Sequence, residues 1–206
     1  MVKPEQLDAA LLNYFFRIKD AIYKSSFRFR VKRNCILNTI YLTHIEGLSD
    51  ILHRLTECRS RGSKVIFIGN GGSAAICSHM AIDFLNAGKI RAIDFNSGPL
   101  ITCLANDYGF DNFFAKAIEI HGRKDDIIVA ISSSGKSKDI LCGVEAGQNL
   151  GCQIITLSGF RKNNPLSFMG DINIYVPMSK YGEVEVSHYF ILHFLLDCLA
   201  EKIPAN

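Results

Sequence analysis

No run in the 206 residues approaches the roughly 18 consecutive apolar residues a membrane-spanning helix requires, so no membrane partner is expected. The seven cysteines (Cys35, Cys58, Cys77, Cys103, Cys142, Cys152 and Cys198) are odd in number and form no CxxC pair. They read as reduced core thiols of a cytoplasmic protein rather than as a disulfide framework. The formal net charge is only +3, too small to argue for a nucleic-acid partner. No G-x-x-x-x-G-K-[ST] motif occurs, which disfavours nucleoside triphosphate chemistry. The opening segment, "MVKPEQLDAALLNYFFRIKD", carries acids and an early proline and does not have the pattern of a secretory signal.

What is present is a chain 48% hydrophobic and 21% charged, which places it among folded rather than disordered proteins. Its length suits one large domain. Residues 5–24 show amphipathic helical spacing, and 34–60 repeat Ile, Leu and Tyr at helical intervals. Between them "SSFRFRVKRN" reads as a solvated basic face or a connector. His44 and His53 read as surface or packed histidines.

From residue 64 the pattern changes. "KVIFIG", "RAIDF", "DDIIVAIS", "CQIITLSG" and "DINIYVP" have the apolar, β-branched character of buried strands. They alternate with helical stretches at 72–87, 98–107, 136–150 and 183–203. Such alternation predicts βαβ units. The expected fold is α/β, a doubly wound parallel sheet preceded by two N-terminal helices. Residues 1–61 form the helical segment and 62–206 the sheet domain, in a single structural unit.

Ligands bind such sheets at the carboxyl ends of the strands. Two of those ends carry unusual chemistry. "GNGGSA" follows the first strand, with glycines at 69, 71 and 72. "ISSSGKSKDI" follows the third and offers Ser132, Ser133, Ser134 and Ser137 around Gly135. One hydroxyl suffices to cap a helix, whereas four, with free amides at a helix N-terminus, point to a phosphate cradle. Lys136 and Lys138 add positive charge. Gly69, Gly71 and Ala74 also satisfy a G-x-G-x-x-A dinucleotide fingerprint, with Asp94 as its ribose-binding acid. That acid falls 25 positions past Gly69, beyond the usual ~20.

Two helices carry polar groups that a core would not choose. His79 and Asp83 are four apart and share a helix face. Glu185 and His193 share a stripe of the C-terminal helix, with His188 between them, and His193 sits in "FILHFLL", a stretch expected to be buried. Each helix thus offers one histidine and one carboxylate, suited to a metal or to acid/base work. Enolisation of a sugar needs one group to remove a proton beside a carbonyl and another to move a proton between oxygens.

"GNGGSAAICSHMAIDF", "LANDYGFDNFFAKAIEIHGRKDDIIVAISSSGKSKDI" and "EVSHYFILH" resemble the sugar-isomerase (SIS) domain family, and within it the phosphoheptose isomerases. The resemblance spans roughly residues 62–203. It implies a flavodoxin-like SIS domain in a cytoplasmic homotetramer, with active sites at subunit interfaces to which the N-terminal helical segment contributes. The implied reaction is aldose–ketose isomerisation of sedoheptulose 7-phosphate to D-glycero-D-manno-heptose 7-phosphate, toward the heptoses of lipopolysaccharide or capsule. Position by position, it implies that Asn70, Gly71, Gly72, Asn106 and Asp107 contact the sugar. Ser132, Ser133, Ser134 and Ser137 would hold its phosphate. His79, Asp83, Glu185 and His193 fall on zinc positions, Glu185 also beside the substrate, and Asp83 with His193 would be the acid/base pair. The family usually carries Glu at 83 and Gln at 185, and its isomerases tend to carry Asp at 182. This chain has a shorter carboxylate at 83, an added negative charge at 185, which suits a tightly held cation, and glycine at 182. The alternative is a non-catalytic SIS tetramer that binds a replication initiator or senses a sugar phosphate. One such branch has a small neutral residue at position 83.

Overall fold

The computed structural model describes residues 4–33 and 36–200. Helix α1 (Pro4–Tyr23) leads into strands β1 (Ser26–Arg33) and β2 (Ile36–Leu42) and then helix α2 (His44–Arg61). The alternating part follows: β3 (Lys64–Gly69), α3 (Gly72–Asn86), β4 (Arg91–Asp94), α4 (Gly98–Tyr108), α5 (Phe113–His121), β5 (Ile127–Ser132), α6 (Lys138–Leu150), β6 (Gln153–Ser158), β7 (Ile172–Tyr175) and α7 (Tyr181–Leu199). The C-terminal helix was expected to reach 203, and residues 201–203 lie outside the described part.

All seven strands form one sheet in the order β2-β1-β7-β6-β5-β3-β4. From β7 to β4 every pairing is parallel. Counted among themselves, these five strands run 2-1-3-4-5, the flavodoxin-like order, whose switch point lies between β3 and β5. The doubly wound fold is as expected. Two helices do precede it, but the segment between them differs from expectation. Residues 26–42 form an antiparallel hairpin that extends the sheet beyond β7. The basic stretch is therefore a strand. Its alternation of Phe27, Phe29 and Val31 with Arg28, Arg30 and Lys32 is the period-two signal of a sheet, and "ILNTIYL" is rich in β-branched and aromatic residues. Asn34 lies outside the described residues. Helix α2 starts at His44 because Thr43 caps it in a capping box with Glu46. Helix α5 was not anticipated.

The strand faces alternate between two cores. Val65, Phe67, Val129 and Leu157 pack toward α2, α3 and α7. Ile66, Ile68, Ile128 and Ile154 pack toward α5 and α6. Every residue of β3 and β5 is buried, as a sheet covered on both faces requires. The cysteines only partly follow the expectation of core thiols. Cys58, Cys77 and Cys152 are buried, and burial raises the Cys58 and Cys152 thiols to about 11. Cys103 is exposed, and Cys35 lies outside the described residues. Among the described residues no helix is long and apolar enough to cross a membrane.

The hairpin is locked to α2 by Phe27, whose buried ring stacks edge-on to His44 at 5.4 Å and covers Gly47. A methyl group on Gly47 would run into the Cβ and ring of Phe27. Gly→Ala inside an open helix normally gains about 1 kcal/mol. Here overpacking of about 1–3 kcal/mol opposes it. Gly47→Ala is expected to lower the midpoint of urea unfolding, and a raised midpoint would show that this contact relaxes freely.

Candidate functional site

Because β3 and β5 are hydrogen-bonded neighbours, the loops that follow them emerge side by side. They enclose a cavity of about 320 Å³ lined by Asn70, Gly71, Gly72, Ser73, Ile131, Ser132, Ser133, Ser134, Ser137, Tyr181 and Glu185. Seven of the predicted substrate residues thus meet in one space, and Glu185 joins them.

The loop after β3 can run this way because Gly71, at φ 55 and ψ −122, occupies backbone space closed to other residues. Gly71 is the N-cap of α3 and makes no side-chain cap, so the first amides of α3 are left for a ligand. Gly72 is packed for a different reason: the Glu185 carboxylate lies so close that a Cβ there would push it aside. On the other loop, Gly135 has φ 63 and packs so closely on Asn164 that a side chain is excluded. Ser137 occupies the N-cap position of α6, yet its hydroxyl caps nothing and lies 3.3 Å from Ser132 Oγ. Ser132 Oγ also accepts from Gly135 N–H, and Ser134 Oγ accepts from Lys136 N–H at 3.3 Å. Ser133 Oγ is buried with no partner, a state that a ligand oxygen would relieve. A plain cap explains none of this. Two helix N-termini and four hydroxyls converging on one cavity have the chemistry of an anion site. Lys138 is turned outward into an ion pair with Asp111 at 2.7 Å, and Lys136 is exposed.

Sequence reasoning missed Asp139, whose buried carboxylate accepts from Asn70 Nδ2 with both oxygens, at 3.0 and 2.8 Å. Burial is the main cause that raises its pKa, and the bonds from Asn70 oppose it. The signal available was an acid in the first turn of α6, which reads equally as a favourable helix-dipole charge. Tyr181 was also missed; its ring packs on Phe160 at 4.8 Å. Asp94 accepts from the Asn96 backbone N–H at 2.8 Å, shaping its own turn, and does not line the cavity.

A second cluster forms where α3 and α7 pack together. His79 lies 3.0 Å from Asp83, and its ring is 5.4 Å from that of His193. Ligand atoms of His79, Asp83 and His193 all lie within 4.8 Å of one another. Tyr189 packs against both imidazoles, at 5.4 and 4.5 Å. Two imidazole nitrogens and a carboxylate are a donor set that suits zinc, and their spacing is compatible with it. Glu185 is not part of this group; it stands in the serine-lined cavity. Asn106 and Asp107 are exposed at the end of α4, bonded to each other at 3.0 Å, and do not line the cavity. His193 is half-buried rather than in the core, because the α7 stripe that faces the sheet carries His188 instead. Gly182 sits under Tyr14 of α1, and a Cβ there would come 3.3 Å from the Tyr14 hydroxyl.

An open, flavodoxin-ordered α/β protein with an anion-type cavity at its switch point is the class that fold and site define. The sequence profile of the SIS domain matches residues 28–159, and the chain belongs to the SIS-domain family. It is similar to the phosphoheptose isomerase of Alteromonas mediterranea, 30% identical over 192 residues that cover 89% of this chain and 96% of that one. The phosphoheptose isomerase of Helicobacter pylori strain P12 is 31% identical over 160 residues, 75% of this chain and 83% of that one. In fold it is similar to a solved phosphoheptose isomerase structure from Francisella tularensis, with TM-score 0.78, 23% identity and coverage of 98% and 100%.

His188 is fully buried and donates from Nε2 to the Ser158 carbonyl oxygen, 3.2 Å away, leaving Nδ1 without a partner. Burial pulls its pKa from 6.5 down to about 4. The unfolded chain therefore binds this proton near 6.5 and the folded chain only near 4. Stability should fall as pH drops through that window, by up to ~1.4 kcal/mol per pH unit. His188→Gln should flatten this slope in urea titrations between pH 7 and 4.5. Equal slopes in the two proteins would show that His188 does not carry the acid sensitivity.

Proposed function

We propose that this chain is a phosphosugar aldose–ketose isomerase that converts sedoheptulose 7-phosphate to D-glycero-D-manno-heptose 7-phosphate in the cytoplasm. The observation that carries the reading is the cavity at the β3/β5 switch point, with its four serine hydroxyls, two helix N-termini and unpartnered Ser133. Relatives 30–31% identical that bear the name phosphoheptose isomerase support the substrate.

In this reading Ser132, Ser133, Ser134 and Ser137 bind the phosphate, and Asn70, Gly71, Gly72 and Glu185 line the sugar chain. Asn106 and Asp107 are proposed to approach the sugar from outside the cavity. Asp83 takes the proton from C1 of the ketose while His193 delivers one to O2, which gives the enediol. Return of a proton to C2 and loss of one from O1 gives the aldose, so no atom is gained or lost. His79, Asp83 and His193 would hold zinc, which polarises sugar oxygens when bound. Glu185 could join only by a change of position. The presence of a carboxylate at 83 favours the enzyme over the scaffold alternative.

The reading also requires more than one copy. Asp83 is eleven positions beyond Gly72 on α3, about 16 Å at 1.5 Å per residue. His193 is eight positions beyond Glu185 on α7, about 12 Å. The acid/base group and the cavity of one chain therefore lie at different levels of the same two helices. Ile82, Leu85, Val186 and Phe190 flank the group and are exposed, as are Leu7, Leu11, Leu12, Phe15 and Phe16 along α1. Such apolar exposure is typical of an interface. A homotetramer that brings the cluster of one subunit to the cavity of another accounts for both facts.

NMR of purified protein with sedoheptulose 7-phosphate should show an aldoheptose 7-phosphate forming, and Asp83→Asn should lower kcat by roughly 10²-fold or more while thermal stability is kept. Unchanged kcat in this variant would remove Asp83 from the chemistry, and no conversion by the wild type would refute the substrate. Metal analysis of protein purified without chelator should find about one zinc per chain, lost together in His79→Ala and His193→Ala. Full activity in metal-free protein would exclude the zinc assignment.

A further inference from the structure

Asn70 lines the sugar-phosphate cavity, yet its amide nitrogen is already committed. Nδ2 donates to both oxygens of Asp139, at 3.0 and 2.8 Å. Asp139 belongs to the first turn of α6 and is only 3% exposed. An ionised carboxylate accepts hydrogen bonds and cannot donate them, so the nitrogen end of the Asn70 amide must face it. The polar atom of Asn70 left for a ligand is then the carbonyl Oδ1. A carbonyl oxygen attracts a hydroxyl proton and repels a phosphate oxygen. The cavity thus divides into an anion-binding part, made of serine hydroxyls and helix amides, and an acceptor that reads a sugar O–H.

We infer that Asp139 is a positioning residue that fixes the orientation of the Asn70 amide, so that Oδ1 selects a substrate hydroxyl. This rests on the reading of the cavity as a sugar-phosphate site. Burying a carboxylate is costly unless its hydrogen bonds are satisfied, and Asn70 supplies the side-chain share beside the backbone amides of Asp139 and Ile140. The bond also ties the loop after β3 to the helix after β5. An asparagine at 139 would keep the shape but could donate as readily as accept, and the Asn70 amide could then turn over.

The test is a double-mutant cycle. Asp139→Asn should lower kcat/KM for sedoheptulose 7-phosphate roughly 10- to 100-fold, as small misplacements in a site do. In an Asn70→Ala background the same substitution should cost less than about 2-fold, because its effect passes through Asn70. Competition by inorganic phosphate, which uses the serine loop, should stay within about 2-fold throughout. An equal loss in both backgrounds, a parallel loss of phosphate binding, or no loss at all would each overturn the proposal. A readout independent of turnover is the side-chain amide of Asn70 in substrate-free protein, followed by ¹⁵N NMR. Its protons should exchange slowly in the wild type and rapidly in Asp139→Asn. Fast exchange in the wild type would overturn the inference even in an active isomerase. Slow exchange in a protein that fails to isomerise would fault the functional reading alone.

Discussion

The parallel pairing of β3 with β5 is the constraint on which the site depends. The register that sets Gly69 beside Ile131 brings two strand ends level and delivers two loops to one place. Each loop then opens a helix, so two sets of unbonded amides point into the same space. The strand order makes this the switch point, where the covering helices diverge to opposite faces and leave a crevice. The loop residues elaborate a position that the sheet has already chosen.

Within that crevice, close approach and charge set each other's limits. Glycine at 72 admits the Glu185 carboxylate, and glycine at 135 admits Asn164. The cavity thereby holds one carboxylate at its wall and another, Asp139, just behind it. Asp139 is occupied by Asn70, whereas Glu185 is given no hydrogen bond by the surrounding chain among the described residues. In the proposed reading, repulsion would keep the substrate phosphate toward the serine side, away from Glu185. That polarity would orient a phosphorylated sugar in one direction, with its phosphate at α6 and its hydroxyls toward α7.

Much of this was legible in the sequence where a local pattern had one physical meaning. Buried β-branched runs marked the five parallel strands, and four serines around a glycine marked a loop that lines the cavity. The spacing of His79 with Asp83 gave one face of α3, and the fold added His193 to it. The pattern failed where two periods overlapped. "ILNTIYL" fits helical spacing in isolation, and only the Thr43/Glu46 box shows that the helix starts after it. The partnership of Asp139 with Asn70 could not be read, because it joins residues 69 positions apart through the sheet. The same holds for Glu185. Its stripe on α7 was correct, but which turn faces the cavity and which faces His79 depends on where α7 begins relative to the sheet.

The unusual pair of acids, Asp83 and Glu185, takes on meaning from that geometry. A shorter carboxylate at 83 stays close to its own helix, where it meets His79 at 3.0 Å. In the proposed reading it would thereby suit a cation that His79 and His193 hold beside it. The longer carboxylate at 185 lies inside the cavity instead. In the proposed reading, a substrate bridging two subunits meets the cavity of one and the His–Asp–His group of the other. Subunit association then does what the length of the side chain at 83 does not. In that reading the exposed apolar residues flanking His79 and His193 are part of the chemistry: burying them between subunits would bring the proposed proton-transfer groups within ångströms of the sugar.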